Sequence, residues 1–428
     1  MILLVTEYDN VAWDLHYSLL RKGFRGSVLS LDDDLTQPDD VQSIWSALYK
    51  RYSLEGMKPL HINDFSLPLD WEVERENGRF FIKTIDGVVG EVFMAEPTIH
   101  RIVSEVHWFD SKGYTYSKDY YNRYGFLYKS STFVTGVGLV GSQFYSPSGE
   151  LLATWNHQTD SVVVGRQIFP TMAKFYLYCL EELGYSEKGI TFNNLGTPLQ
   201  MLIEKAKVMG DSMPPNELIF TEKVDELPGN VDYILQHKEL NTECYVGGFE
   251  GARELANESV EVDFFEFHTP LYISDKSDYC KDVLITTETD DLWSIERFVD
   301  SCPNNTFHIA APTLMSSRLS DLENRSNVKL YPQATQAKVE ELLEKSGIFL
   351  DIANSPTVYD ANRLALRFKC LRLGVRGISS GDYISEVNMV YTDDFEWLKD
   401  FLNYCSQNPK SLEHYVSKEN FALGYSYN

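Results

Sequence analysis

Val283-Leu-Ile-Thr-Thr-Glu-Thr-Asp-Asp-Leu-Trp-Ser-Ile-Glu-Arg-Phe-Val299 decides the fold. It opens with a short apolar, β-branched run, Val283–Thr287, which reads as a buried strand. Leu292, Ile295, Phe298 and Val299 then recur at helical spacing. Phe307–Ala310, Val328–Tyr331 and Gly347–Asp351 repeat the strand signal, with helical patterns at Gln336–Lys345 and Tyr359–Phe368 between and after them. Strands alternating with helices predict an open α/β sheet. Such sheets bind anionic ligands beyond the carboxyl ends of their strands, where helix N–H groups point outward. At that position this chain carries Glu288, Asp290 and Asp291, and carboxylates repel a phosphate. The scaffold is present; the expected chemistry is not.

Outward from this unit, 428 residues are too many for one ordinary core and predict two or three domains. Residues 1–58 begin strand–helix–strand, with Ile2–Val5, Val11–Leu20 closed by Gly23, and Ser27–Leu31. From 59 to 167 the period changes to two. Arg79–Lys83, Val88–Phe93, Tyr114–Ser117, Phe126–Tyr128, Phe144–Tyr145, Leu151–Trp155 and Val162–Val164 read as strands, with turns at Asn77-Gly78, Asp86-Gly87, Lys112-Gly113 and Ser148-Gly149. An antiparallel meander inserted into the first α/β domain is the simplest account. The first domain resumes over 168–270 with helices at Phe175–Leu183 and Leu199–Met209. Its strands are Ile190–Phe192, Glu217–Phe220 and a strand-like run at Val231–Leu235. The chain crosses over around Pro270–Lys281 into a second domain, 271–408, and ends in a segment, 409–428, read as helical and packed back on the first domain.

A net charge of −25 disfavours nucleic acid and anionic lipid as partners. Met1–Asp9 has no basic leader, no stretch reaches the length of a membrane span, and six scattered cysteines show no CxxC pair. Those features predict a cytoplasmic protein. The abundance of rings (26 Tyr, 24 Phe) suggests much sheet or an aromatic contact surface, for which the meander is the candidate.

The motifs do not supply an enzyme. Gly136-Val-Gly-Leu-Val-Gly141 has the letters of a dinucleotide fingerprint, but no helix follows it, so glycines at meander bulges explain it better. Asp32-Asp-Asp34 follows a strand and has the form of a DxD metal site, yet acids after an early strand are more often a solvated loop. His100, Glu105 and His107 match no known metal shell, and no GxSxG elbow is present.

Eight segments together resemble one family. They are Asp14–Leu19, Asp32–Leu35, Tyr121-Asn-Arg-Tyr-Gly125, Asn194-Leu-Gly-Thr-Pro198, Leu227-Pro-Gly-Asn230, Thr306–Ile309, Leu330-Tyr-Pro332 and Ile348–Ile352. In this order they are similar to the non-catalytic, glycosyltransferase-stabilising subunit of the accessory Sec system of Gram-positive bacteria. That resemblance implies a GT-B-like fold, with two Rossmann-like domains facing a cleft and an extended β-sheet domain inserted in the first. It implies two partners: a homologous catalytic subunit that transfers N-acetylglucosamine from UDP-N-acetylglucosamine, and the serine-rich repeat adhesin that receives the sugar. It implies no cofactor or metal of its own, and a cytoplasmic location peripheral to the membrane through the partner. Active relatives place an Arg and, five residues on, a Lys after the first strand of the second domain, where Thr286–Trp293 here has no cation. They also carry two glutamates seven residues apart, absent from Ala353–Leu364; Arg318, Arg363 and Arg367 remain as possible charges from elsewhere. Two readings follow. One is a non-catalytic subunit whose acceptor-binding candidates are Tyr8, Trp13, His16, Asn193, Asn194 and His308. The alternative is an active GT-B glycosyltransferase using a UDP-sugar through an atypical donor site.

Overall fold

The structure, a computed structural model, describes residues 1–427 except 34, 36, 77, 96–97, 222–228, 248–262, 270–279, 356, 380 and 382. Residues 270–279 of the crossover at Pro270–Lys281 and part of Leu227–Asn230 therefore lie outside the described residues. Contacts divide the chain into two compact units. The first holds Met1–His16, Gly23–Phe220 and the described part of 228–244; the second holds Tyr17–Lys22 and the described residues of 221–227 and 245–428.

In the first unit, β1 (Ile2–Val5), β2 (Ser27–Ser30) and β3 (Val41–Ser43) pair in parallel. The chain then makes a ten-stranded antiparallel sheet. Its strands are β4 (Glu72–Glu76), β5 (Arg79–Thr84), β6 (Gly87–Met94), β7 (Val103–Phe109), β8 (Thr115–Tyr121), β9 (Leu127–Val134), β10 (Gly138–Tyr145), β11 (Leu151–Asn156), β12 (Ser161–Val164) and β13 (Gln167–Phe169). Each pairs with its sequence neighbour, which makes a meander. Returning, β14 (Ile190–Phe192) pairs with β1 and β15 (Asn216–Phe220) with β14, both parallel. Helices α1 (Asn10–Arg21), α2 (Met172–Glu182), α3 (Thr197–Met209) and α4 (Gly229–Gln236) connect or follow these strands.

Two expectations change. Gly229–Gln236 is a helix, not a strand: Val231 and Ile234, three apart, are its buried residues, which is helical spacing. The sheet also holds strands at Glu72–Glu76, Val103–Phe109 and Gln167–Phe169 that the sequence pattern did not signal. The glycines of the pseudo-fingerprint turn the β9–β10 hairpin, where the register shifts between Leu139 and Gly141.

In the second unit, β16 (Thr242–Gly247) continues from the first and pairs through Tyr245–Gly247 with β17 (Asp263–Phe265). Phe267–Thr269 is β18. The main sheet is six parallel strands: β19 (Val283–Thr286), β20 (Phe307–Ala310), β21 (Val328–Tyr331), β22 (Ile348–Asp351), β23 (Leu371–Val375) and β24 (Met389–Val390), in the order β21-β20-β19-β22-β23-β24. Alternate residues feed two cores. Val283, Ile285, Phe307, Ile309, Ile348 and Leu350 pack with Phe298 of α5 (Ile295–Ser301) and with Leu398 and Leu402. Leu284 and Phe349 face the other way, onto α6 (Gln336–Lys345) and α7 (Ala361–Arg367). A sheet covered on both faces needs apolar residues throughout, which is why these strands read as continuous runs. Leu398 and Leu402 belong to α8 (Phe395–Gln407), and α9 (Ser411–Ala422) follows. The last strand, β25 (Tyr425–Tyr427), pairs in parallel with β18.

Candidate functional site

The β19–α5 loop is the place where a sheet of this kind would hold an anion, and five of its amides are already used. Thr287 N–H donates to the Ala310 carbonyl at 3.0 Å, Leu292 N–H to Asp290 at 3.1 Å and Trp293 N–H to Ile352 at 2.9 Å. Thr289 N–H donates to Thr287 Oγ1 at 3.0 Å, and Asp291 N–H to Thr289 Oγ1 at 3.1 Å. Helix α5 then starts after Ser294, left-handed at φ 52° and without a side-chain cap, and lasts only seven residues. The loop leans on the segment after β22: Asn354 donates from its backbone N–H to the Asp291 carbonyl and from Nδ2 to Asp291 Oδ2, at 3.1 and 3.0 Å. Glu288, Asp290 and Asp291 remain exposed.

The stretch expected to lack the glutamate pair has internal bonding instead. Asn362 Nδ2 donates to Asp351 Oδ2 at 3.1 Å, with both residues buried. Of the arginines considered as replacement cations, Arg318 pairs with Glu296 at 3.2 Å, while Arg363 and Arg367 are buried and engaged within the fold.

At the carboxyl edge of the first sheet, the structure brings Tyr8 and His16 together. The Tyr8 hydroxyl lies 2.7 Å from His16 Nδ1, and both side chains are buried. Burial, then the Asp40 and Asp14 charges, raises the Tyr8 pKa; burial lowers that of His16 against the pull of Asp40. A phenol that keeps its proton and an imidazole that stays neutral make Tyr8 the donor and Nδ1 the acceptor when the ring proton sits on Nε2. Trp13 is half-buried on the same helix, α1. Asn193 and Asn194 follow β14, whose carboxyl end lies beside that of β1. Asn194 Oδ1 accepts from the Gly196 N–H at 2.7 Å, so this side chain turns the chain into α3.

His308 stands apart from these groups in its bonding. It is the second residue of β20, toward the amino end of the strand, between Tyr331 Oη (2.9 Å from Nδ1) and Asp282 Oδ2 (3.1 Å from Nε2). Burial alone would raise the Asp282 carboxyl, but His308, with hydrogen bonds from Cys280 and Thr306, outweighs it and holds it below its usual value.

Asp32 and Asp33, the DxD candidates, are bonded within the first unit; Asp34 lies outside the described residues. Tyr128 Oη donates to Asp32 at 2.8 Å, and Lys129 Nζ lies 3.3 Å from it. Asp33 accepts from Tyr49 at 2.7 Å and from Asn122 at 2.9 Å. Arg123 adds bonds to the carbonyls of Gln37 (3.1 Å), Pro38 and Val41 (3.2 Å). Two of the resembling segments, around Asp32 and around Asn122, thus meet and join the meander to the parallel sheet. Among the described residues no group of three or more His, Cys, Asp or Glu is placed to hold a metal, and no helix is long and apolar enough to cross a membrane.

Two family models match the chain: the GtfB middle domain over 71–175 and the GtfB/GlyA-F C-terminal domain over 283–419. A glycosyltransferase-stabilising protein GtfB of Streptococcus pneumoniae serotype 4 is 28% identical over 87% of this chain and 85% of its own length. The GtfB of Limosilactobacillus reuteri is 25% identical over the same shares. The chain is a homologue of the GtfB stabilising proteins. A crystal structure of a GtfA/B complex bound to UDP and GlcNAc superposes with a TM-score of 0.84 at 25% identity, covering 99% of this chain and 96% of the other. The pneumococcal O-GlcNAc transferase GtfA superposes over 99% of this chain and 95% of its own at a TM-score of 0.57, but at 12% identity, so it speaks to the fold alone. The fold is GT-B-like, and the relatives matching over most of this chain are named for stabilising a glycosyltransferase.

Proposed function

We propose that this chain is the non-catalytic, stabilising subunit of a protein O-glycosyltransferase complex. Its partner is a homologous catalytic subunit that transfers N-acetylglucosamine from UDP-N-acetylglucosamine to Ser and Thr. Its second ligand is the acceptor, a serine-rich repeat adhesin of the accessory Sec system. The complex works in the cytoplasm, at the membrane face through the partner. The observation that carries this reading is the β19–α5 loop, with exposed Glu288, Asp290 and Asp291 and five amides already bonded within the protein. A diphosphate there would meet the repulsion of three carboxylates with no cation in the loop to offset it. Trp13, Asn193 and Asn194, beside the buried and mutually bonded Tyr8 and His16, offer a ring and amides at one sheet edge, groups suited to hydroxyls and backbone of an extended polypeptide.

Calorimetric titration of the purified chain with UDP-N-acetylglucosamine is expected to give no heat of binding. Co-expression is expected to raise the soluble yield and specific activity of the catalytic subunit. An unglycosylated Ser-rich peptide should be retained by this chain alone. Micromolar binding of the sugar nucleotide, or peptide retention only when the catalytic subunit is present, overturns the proposal.

A further inference from the structure

The second unit holds an ordered proton chain that the proposed function leaves unused. Asp282 immediately precedes β19, His308 lies on β20 and Tyr331 ends β21, so three adjacent strands of the parallel sheet each bring one member. Tyr331 is in register with Ala310, two residues beyond His308 and on the same face of the sheet. The His308 and Tyr331 rings lie 23° from parallel, with centroids 5.7 Å apart. The imidazole is 5% exposed and both its nitrogens are engaged, Nε2 with Asp282 Oδ2 at 3.1 Å and Nδ1 with Tyr331 Oη at 2.9 Å. Against the effect of burial, hydrogen bonds from His308 and its neighbours keep the Asp282 carboxyl below its usual value. An ionised carboxylate only accepts, so the proton of the neutral ring sits on Nε2. Nδ1 is then the acceptor, and the Tyr331 hydroxyl donates to it. Burial raises the pKa of that phenol, which keeps its proton until a base removes it.

A hydroxyl bonded to a base, with the base oriented by an acid behind it, is the arrangement that activates a nucleophile. Unlike His308, Tyr331 is only half-buried, and cations stand beside it. Lys338 Nζ lies 5.2 Å from the Tyr331 ring centroid. Lys338 and Lys345 share a single carboxylate, Glu341, at 2.9 and 2.6 Å, which leaves one positive charge in excess. That excess favours an anionic electrophile over a neutral one. The three residues supply a base and no separate acid, so the leaving group must depart without a proton, as a carboxylate does. We infer that Tyr331 is a nucleophile that takes a phosphoryl group from a small acyl phosphate, with His308 as general base and Asp282 as the residue that positions it. The Oη–H proton passes to Nδ1 as Oη bonds to phosphorus. The bond from phosphorus to the acyl oxygen breaks, its electron pair leaves with the carboxylate, and His308 then releases its proton to water. The product is a phosphotyrosine whose negative charge sits beside Lys338 and Lys345.

The test incubates the full chain with acetyl phosphate, follows its intact mass and locates the label by peptide mass spectrometry. A single phosphoryl group should appear on Tyr331, at a rate that saturates with the donor, and Tyr331→Phe should abolish it. His308→Gln should slow labelling about a hundredfold, within the range of general-base contributions. Added imidazole should accelerate His308→Ala, which a histidine with a purely structural role would not show. Asp282→Asn should lower the maximal rate severalfold with the half-saturating donor concentration unchanged. Lys345→Gln, at an exposed helix position, should raise that concentration severalfold with the maximal rate unchanged. Melting curves check that each variant is folded; if His308→Ala is not, the Asp282→Asn and Lys345→Gln rates decide. No label on Tyr331, label spread over many tyrosines, or an unchanged rate in folded His308→Gln or Asp282→Asn overturns the inference.

Discussion

Neutralising Asp33 should flatten the pH dependence of the junction between meander and parallel sheet. The side chain is 1% exposed, and burial pushes its pKa up to about 6 from an ordinary 3.8. Hydrogen bonds from Tyr49 and Asn122 and the Arg123 charge oppose the rise; the Asp32 charge adds to it. The folded state therefore holds this proton more tightly than the unfolded chain does. The stability it contributes is fully present below about pH 4 and is lost as pH rises through about 6. Two pH units correspond to about 3 kcal/mol. Asp33→Asn keeps the shape, and its amide oxygen accepts from Tyr49 and Asn122 as before. Its nitrogen replaces Oδ1, which has no partner among the described residues, at a cost on the order of 1–3 kcal/mol. At pH 4 the variant should be the weaker protein; at pH 7.5 it should equal or exceed wild type by up to about 2 kcal/mol. Urea unfolding read by hydrogen exchange in peptides spanning 27–49 and 115–134 isolates the junction from the second unit. Equal pH slopes for variant and wild type between pH 4 and 7 would refute the reasoning.

In the second unit, Arg372 (0% exposed) and Glu419 (1%) form a buried pair at 3.1 Å, with Asn420 also accepting from the guanidinium at 2.6 Å. Glu419→Gln should cost about 3–5 kcal/mol in a thermal melt, because it leaves the guanidinium without a counter-charge; Arg372→Met with Glu419→Leu should recover most of it. Gly125 has φ +79°, and a Cβ there would fall 2.1 Å from the Lys58 carbonyl oxygen. Gly125→Ala should lower stability by about 2 kcal/mol or more and reduce soluble yield, while Gly113→Ala, which has φ +84° but no neighbour within 4 Å, should cost less.

The second unit was legible because its sheet is covered on both faces. Phe307–Ala310, Val328–Tyr331 and Gln336–Lys345 fall where their patterns place them; Thr335, whose side chain accepts from the Lys338 N–H, marks the start of the last. The meander was legible in outline only. Glu72-Val-Glu-Arg-Glu76 is an edge strand with one partly buried residue, so the period-two signal is nearly lost. The site was harder still. Asp32 and Asp33 look like metal ligands locally, because the partner that explains Asp33, Asn122, lies 89 residues away. The chain from Asp282 through His308 to Tyr331 likewise arises from strand register, which spacing within one segment does not encode.

If the chain is the non-catalytic subunit proposed, the acids of the β19–α5 loop are a symptom of an unused donor site more than its cause, and this can be tested. Glu288 and Asp290 are exposed, and the loop's main-chain bonds run to carbonyls and threonine hydroxyls, so folding does not depend on them. Glu288→Gln with Asp290→Asn and Asp291→Asn, the last keeping an acceptor for Asn354, should leave the melting temperature nearly unchanged. Removing three charges about 7 Å from a phosphate relieves on the order of 0.6 kcal/mol each in water, about 2 kcal/mol together. That relief supplies no attraction, because the loop holds no cation and five of its amides are already bonded within the protein. Titration of the triple variant with UDP-N-acetylglucosamine should therefore still show no binding. Micromolar affinity in that variant would mean that charge alone had closed the site, and that the loop's internal bonds yield readily to a nucleotide.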